Sequence, residues 1–302
     1  QVVGTWSKIP EVFRYVNSLG GTPNVGYFGA GSYNPRSIVD RVDFDNDTAT
    51  ASPKGNMSST RYRCSGIGNK DFGYFGSGTI PGTGDVTTVD RLDYANDTAD
   101  MVAKGPLANI HRTNDSTVGN NDFGYWCGSV GRSYVSRVDY GNDTATAVEK
   151  GPLVMKRSNA YGVTSPAYGY ICGGETPSRR SSIDRIDFNS DTSTATPKGN
   201  LSGVKDNGGA TGNASYGYIG GGSTPSPVST IDRIDFSNDT ATAVTKGPLG
   251  RANWLFSATG NTSYGYWGGG YASPSNDGTS FVDRVDYSND TATASPKGNL
   301  SV

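Results

Sequence analysis

The chain has a single histidine, His111, and three cysteines, Cys64, Cys127 and Cys172, with no CxxC spacing. An odd cysteine count without paired spacing excludes a disulfide framework and an ordinary zinc site. One histidine with no nucleophile at recognisable spacing gives no Ser–His–Asp or Cys–His arrangement, so catalysis is not expected. It also supplies too few ligands for a copper centre, and no cofactor is expected. No run of about 18 apolar residues occurs, which excludes a membrane-spanning helix, and membrane insertion is not expected. No segment keeps a 3.6-residue apolar period, so almost no helix is expected. The formal net charge is −2, with no basic stripe to attract nucleic acid. Glycine-rich words such as GGGSTPS lead into no helix and are not phosphate loops. Apolar residues make up only 33%, which by itself resembles a disordered chain. The first residue is Gln1 and no signal peptide is seen, so a processed chain or fragment is expected.

What the chain does have is aromatic residues at fixed places. Tyr27, Tyr74, Tyr125, Tyr170, Tyr218 and Tyr266 each follow a glycine, at separations of 47, 51, 45, 48 and 48 residues. Arg41, Arg91, Arg137, Arg185, Arg233 and Arg284 keep the same rhythm at 50, 46, 48, 48 and 51. Repeats near this length are the mark of propeller blades. Slack between two anchors that drift together means strands of fixed length joined by loops of variable length.

Four strands fit one period. They begin near RYRCSGIG (from Arg61), GYFGSG (from Gly73), IDRIDF (from Ile231) and TATAVTKG (from Thr240), each fenced by Gly, Pro, Asn or Asp. The expected fold is all-β: a six-bladed β-propeller with four-stranded antiparallel blades, in one domain spanning 1–302. Blades are expected near 11–55, 56–105, 106–151, 152–199, 200–247 and 248–298, with residues 1–10 as an extra N-terminal strand that latches the ring or reaches another subunit. Cys127 and Cys172 occupy a slot that holds Gly29, Gly76, Gly220 and Gly268 elsewhere, which suits a small residue in a tight strand.

In the third strand, side chains alternate between faces. Asp232, Ile234 and Phe236 share one; Ile231, Arg233 and Asp235 share the other. The charged couples Arg41/Asp43, Arg91/Asp93, Arg137/Asp139, Arg185/Asp187, Arg233/Asp235 and Arg284/Asp286 are read as structural, because six copies of a catalytic pair are implausible. A charge repeated at each blade interface must be paired, either within its couple or on carbonyls of the adjacent strand. The word SNDTAT reads as a hairpin turn. Its DFDNDT form lacks the Gly and Glu of a calcium loop, so no metal is expected. Asn46, Asn96, Asn142, Asn238 and Asn289 also begin N-D-T sequons.

The glycine cluster after Gly-Tyr, the Asp-bearing strand, the turn and the closing KGPL or KGNL together resemble the kelch repeat over nearly the whole chain. Arg14, Arg61, Arg112 and Arg157 lie 13 residues before an anchor tyrosine, where kelch repeats carry arginine. Lys205 and Asn253 depart from that pattern. The tryptophan usual in the fourth kelch strand is Ala or Val here; only Trp6 stands in such a segment. The resemblance implies a six-bladed ring with its first strand innermost, and the small polar first strands suit a crowded, wet axis. The wording YGYxGGG followed by DRIDFSNDTATA also resembles repeat proteins of marine phages, often virion or tail components. That likeness implies a virion or extracellular location.

The third-to-fourth turns are nearly uniform, whereas the second-to-third loops diverge. Divergent loops on a rigid scaffold are where binding sits. The candidate ligand-binding residues are Tyr33, Arg36, Asp85, Arg132, Tyr134, Arg179, Arg180, Tyr271, Asn276 and Asp277, joined by His111 and Lys156 from the fourth-to-first loops. Aromatic, amide and guanidinium groups together suit sugar or protein recognition. The expected function is non-enzymatic binding or adhesion, with a glycan or host protein as partner. The alternative is a building block among other subunits of a larger assembly.

Overall fold

In the computed structural model, residues 19–20, 24–29, 36–112, 116–272 and 278–301 are described. The expected N-terminal strand at 1–10 lies outside them. The described residues form six four-stranded antiparallel sheets, each built from one contiguous stretch and ordered first-second-third-fourth. The second strands are Val25–Gly29, Phe72–Gly76, Phe123–Ser129, Tyr168–Cys172, Tyr216–Gly220 and Tyr264–Gly268. The third strands are Val39–Asp43, Val89–Asp93, Arg132–Asp139, Ser182–Asp187, Ile231–Asp235 and Val282–Asp286. First strands of successive blades pack on one another, and that of blade six packs on that of blade one, which makes a closed ring with the first strands innermost. The fold is a six-bladed β-propeller, with no α-helix among the described residues.

The axis is crowded. A Cβ on Gly162 would stand 2.2 Å from the carbonyl oxygen of Thr117 in the preceding blade. Its polarity is spent internally: Thr117 Oγ1 donates to Gly66 O at 2.7 Å, and Thr164 and Thr211 are buried. The wet axis expected from sequence is replaced, at these strands, by hydroxyls bonded or packed between blades.

The apolar core lies between blades, and each joint has its own cluster. Between blades four and five, Tyr170, Ile183 and Leu201 meet Ile219, Ile234 and Ala243. Between blades five and six, Tyr218, Ile231 and Leu249 meet Trp267, Val285 and Ala294. Alternation explains the division: Ile231 faces the following blade and Ile234 the preceding one. Cys127 and Cys172 are buried in two such clusters.

The repeated phrase builds the joint. In every blade the anchor tyrosine pairs across strands with the arginine, as in Tyr218 with Arg233. A lysine of the fourth strand lies on the same side. These donors converge on the aspartate of the N-D-T word of the next blade, which reads N-S-D-T in blade four. Arg185 Nη1 lies 2.8 Å from Asp239, Tyr170 donates its hydroxyl to it at 3.0 Å, and Lys198 Nζ is 3.1 Å away. The same triad meets Asp97, Asp143, Asp191 and Asp290. Asp47 closes the ring by accepting from Tyr266, Arg284 and Lys297 of blade six. Two backbone bonds flank each node, as with Gly199 N–H to Asp239 O and Ala243 N–H to Asn200 O. The glycine of each K-G word is required there: a Cβ on Gly199 would stand 2.0 Å from Ala241 O.

The couples read within one strand therefore separate. Asp43, Asp93, Asp139, Asp187, Asp235 and Asp286 accept the N–H two residues on and hold the following turn. Each sits at a strand end, where those N–H groups lack sheet partners. The arginines pair instead with the following blade. In blades two to six each also lies over the aromatic that opens its own second strand, as Arg185 does over Tyr168 at 3.9 Å.

Burial opposes the charge of Asp239, but bonds from Lys198, Tyr170 and Arg185 outweigh it and hold the carboxyl below its usual range. Asp47, Asp191 and Asp290 behave alike. The tyrosine hydroxyls are pushed well up, first by burial and then by the adjoining carboxylate.

Candidate functional site

Strand direction puts the second-to-third and fourth-to-first loops on one face and the remaining turns on the other. Arg36 bridges Arg61, Tyr62 bridges Thr79, and Ser158 bridges Glu175, so the two loop sets on the first face touch. On the second face five of the six third-to-fourth turns are 3-10 turns entered at φ of −89 to −92° and ψ of 113 to 116°.

The first face is diverse. Blade two adds a two-stranded ribbon, Thr79–Ile80 with Gly84–Asp85. Blade three closes in a tight hairpin between Ser129 and Arg132. Blades four and five turn at Thr176–Pro177 and Thr224–Pro225. Blade six pairs Asn253–Trp254 with Tyr271–Ala272.

The candidate residues fall into separate groups on this face. Asp85 accepts from Thr79 Oγ1 at 2.7 Å and pairs with Arg112. Arg132 and Lys156 are exposed, while Arg36 is half-buried. Arg180 donates to Thr176 O at 2.6 Å. Arg179 Nε lies 3.0 Å from the buried carboxylate of Asp206. Tyr271 lies beside Trp254, ring centres 6.4 Å apart. Tyr33, Asn276 and Asp277 lie outside the described residues.

His111 is not a surface binding residue. It is buried, with Nδ1 2.8 Å from Gly128 O and Nε2 2.9 Å from Ser136 Oγ, and Tyr134 packs edge-on against it. Burial lowers its pKa to about 4, against the opposing pull of Gly128 O. Its place is structural. In blades two, four and five a buried cation fills the equivalent position and meets the second residue of the third-strand word: Arg61 with Asp90, Arg157 with Asp184 at 2.9 Å, Lys205 with Asp232 at 3.1 Å. Blade three has Ser136 instead of that aspartate and the neutral His111 instead of the cation. Its Arg112, which matches the kelch spacing, is exposed and pairs with Asp85.

Sequence reasoning passed over a group near the axis on the same face. Asn207 N–H donates to Asn159 O at 2.9 Å, and Leu255 N–H donates to Asn207 O at 2.6 Å. This backbone belt links blades four, five and six at the entry to their innermost strands. Arg63, Asn159, Asn207 and Leu255 all adopt φ of 53 to 61°, uncommon for residues other than glycine. Beside the belt, Asn159 Nδ2 donates to Glu175 Oε1 at 3.1 Å, and Tyr161 donates its hydroxyl to Asp206 O at 2.9 Å. Burial raises the Asp206 carboxyl, against the pull of Arg179. Aligning the residue after each slot position, the cations Arg61, Arg157 and Lys205 and the departing Asn253, gives Tyr62, Ser158, Asp206 and Trp254 and would have exposed this divergence. No group of three or more His, Cys, Asp or Glu suited to a metal occurs among the described residues.

No established family profile matches the chain, and no curated protein matches it in sequence. In structure it is similar to YjhT, with a TM-score of 0.72 over 96% of this chain and 98% of that one, at 12% identity. At that identity the likeness is one of fold.

Proposed function

We propose that this chain is a non-enzymatic binding module that recognises a glycan or a host protein through one face of its ring. The observation that carries this reading is the contrast between faces. Five of the six third-to-fourth turns on one face repeat the same 3-10 backbone, and all six share the same aspartate contact. Loops on the other take a different form in most blades and present arginine, tyrosine and carboxylate side chains. A scaffold that repeats its joints six times while varying one loop set has the arrangement expected of a recognition surface. The likeness of its wording to phage-borne repeat proteins supports a virion or extracellular setting. A glycan array and a cell-binding assay with the native chain test it. Binding abolished by Arg132→Ala with Lys156→Ala, both exposed on that face, supports the reading; blank results in both assays refute it.

A second reading, a building block of a larger assembly, is favoured by the outer strands. The N–H of Lys54 and of Lys104 bonds inward to the third strand, so the preceding residue points its backbone outward. That residue is Pro53, Pro197 or Pro296 in blades one, four and six, which leaves no donor. In blades two, three and five it is Ala103, Glu149 or Thr245, beside Val102, Val148 and Val244, each more than half exposed. Light scattering tests this: a strict monomer at all concentrations counts against it.

A further inference from the structure

The axial group just described joins features that serve no joint. Asp206 is fully buried, yet its carboxylate oxygens and Arg179 Nε are out of line for a hydrogen bond despite their 3.0 Å approach. The indole N–H of Trp254, one hydrogen-bond step along the belt by way of Leu255 and Asn207, has no acceptor among the described residues. Buried polar groups are normally satisfied, and each exception needs an explanation, a bound group among them. Blades two and four lack this aspartate: the residue equivalent to Asp206 is Tyr62 in blade two and Ser158 in blade four, and Thr79 stands in blade two where blade four has Glu175.

We propose that the mouth of the ring over blades four to six binds the terminal pyranose of a neutral glycan. Trp254 and Tyr271 supply the stacking platform; the half-buried Glu175 and Arg179 engage the hydroxyls, and the buried carboxylate of Asp206 holds Arg179 in place. The inference rests on the binding function proposed above and names its site and ligand class. The chemistry selects a sugar in three ways. Two adjacent aromatic rings, tilted 60° to each other, offer an apolar surface to the C–H face of a pyranose. Carboxylates beside amides and a guanidinium accept and donate to vicinal hydroxyls, and charge-assisted bonds of this kind are the strong ones. Two carboxylates against one arginine disfavour an anionic sugar, so the ligand is neutral.

The test is a tryptophan-fluorescence titration with methyl pyranosides of glucose, galactose and mannose. It uses full-length protein carrying Trp6→Phe. Trp126 and Trp267 are buried in the joints, so a change reports on Trp254. Saturable binding is expected with a constant on the order of 1 mM. Glu175→Gln and Asp206→Asn are each expected to weaken it about tenfold. Lys70→Ala, on the opposite face, leaves it unchanged. Folded variants are verified by an unchanged thermal midpoint in Glu175→Gln, whose side chain is half-buried. No response up to about 100 mM, a hundredfold above the expected constant, overturns the proposal. So does undiminished binding in Glu175→Gln and Asp206→Asn, or a response to lysine-rich peptide in place of sugars. If the glycan array is positive while these variants bind normally, this site is wrong and the binding function stands. If array and cell assay are both blank, the function falls with it.

Discussion

Replacing Asp239 by alanine removes one carboxylate from one joint and leaves three donors of the preceding blade without their acceptor: Tyr170, Arg185 and Lys198. Removing one partner of a fully buried pair costs about 3–5 kcal/mol. Here the arginine side chain is 21% exposed and the lysine 12%, so water recovers part of that. The buried tyrosine hydroxyl recovers least. A loss of about 2–3 kcal/mol follows, or a fall of roughly 5 °C in melting temperature for a chain of this size. Asp235→Ala is the control. Its carboxylate is exposed and holds the local turn through Ser237 N–H at 2.9 Å, a capping contact worth about 0.5–1 kcal/mol. Urea denaturation with intrinsic fluorescence reads both, and a double-mutant cycle separates them. Arg185→Ala with Asp239→Ala should show coupling of about 1–2 kcal/mol, and Arg185→Ala with Asp187→Ala close to none. If Asp239→Ala costs no more than Asp235→Ala, or the coupling belongs to Asp187, the inter-blade node is not what holds the joint.

Asp47→Ala at the closing joint should cost the same as Asp143→Ala at an internal one, because both lose the same three donors; unequal urea midpoints would show that closure uses another device. Gly199→Ala drives a methyl into Ala241 O and should cost about 3 kcal/mol or more, measured as a loss of thermal stability greater than that of Gly203→Ala, where a Cβ meets nothing within 4 Å. His111 has a folded pKa lowered to about 4 from an ordinary value near 6.5. The folded state therefore takes its proton less readily than the unfolded one. Its stabilising share is complete above about pH 6.5 and is lost as pH falls toward 4, up to about 3 kcal/mol. Stability measured against pH should be flatter over that window in His111→Gln than in the parent. The node carboxylates act lower: their folded pKa values are depressed, so their contribution is present above the unfolded value near 3.9 and disappears as pH falls below it.

The ring was legible because its geometry is written in period. A tyrosine and an arginine recurring together define cross-strand neighbours, and alternation places Ile231 and Ile234 on opposite faces before any coordinates. The partner of the arginine was not legible. Asp235 lies two residues away on the same strand face and looks adequate, while the true acceptor, Asp290, is 57 residues on. Only the packing of one blade on the next brings it within 2.8 Å. His111 misled for a related reason. A lone histidine in a loop reads as accessible, and nothing local reveals that Ser136 has replaced an aspartate in the strand beneath it. The axial group escaped notice because it depends on single departures, Asp206, Glu175 and Trp254, at slots whose other occupants have no shared chemistry.

The division of labour between the faces follows from where the joints lie. The aspartate node draws on the second, third and fourth strands and on the N-D-T turn, all ending at the uniform face. Any change there alters a contact repeated six times and is met by steric limits as hard as the 2.0 Å approach at Gly199. The loops of the other face share with the joint the leucine of each KGNL or KGPL word, as with Leu201 and Leu249, and the slot cation with its aspartate. Even that pair is exchangeable, since blade three keeps its burial with His111 and Ser136 in their place. Substitution on this face thus carries a small penalty in stability, and recognition chemistry can differ from blade to blade while the ring beneath it stays the same.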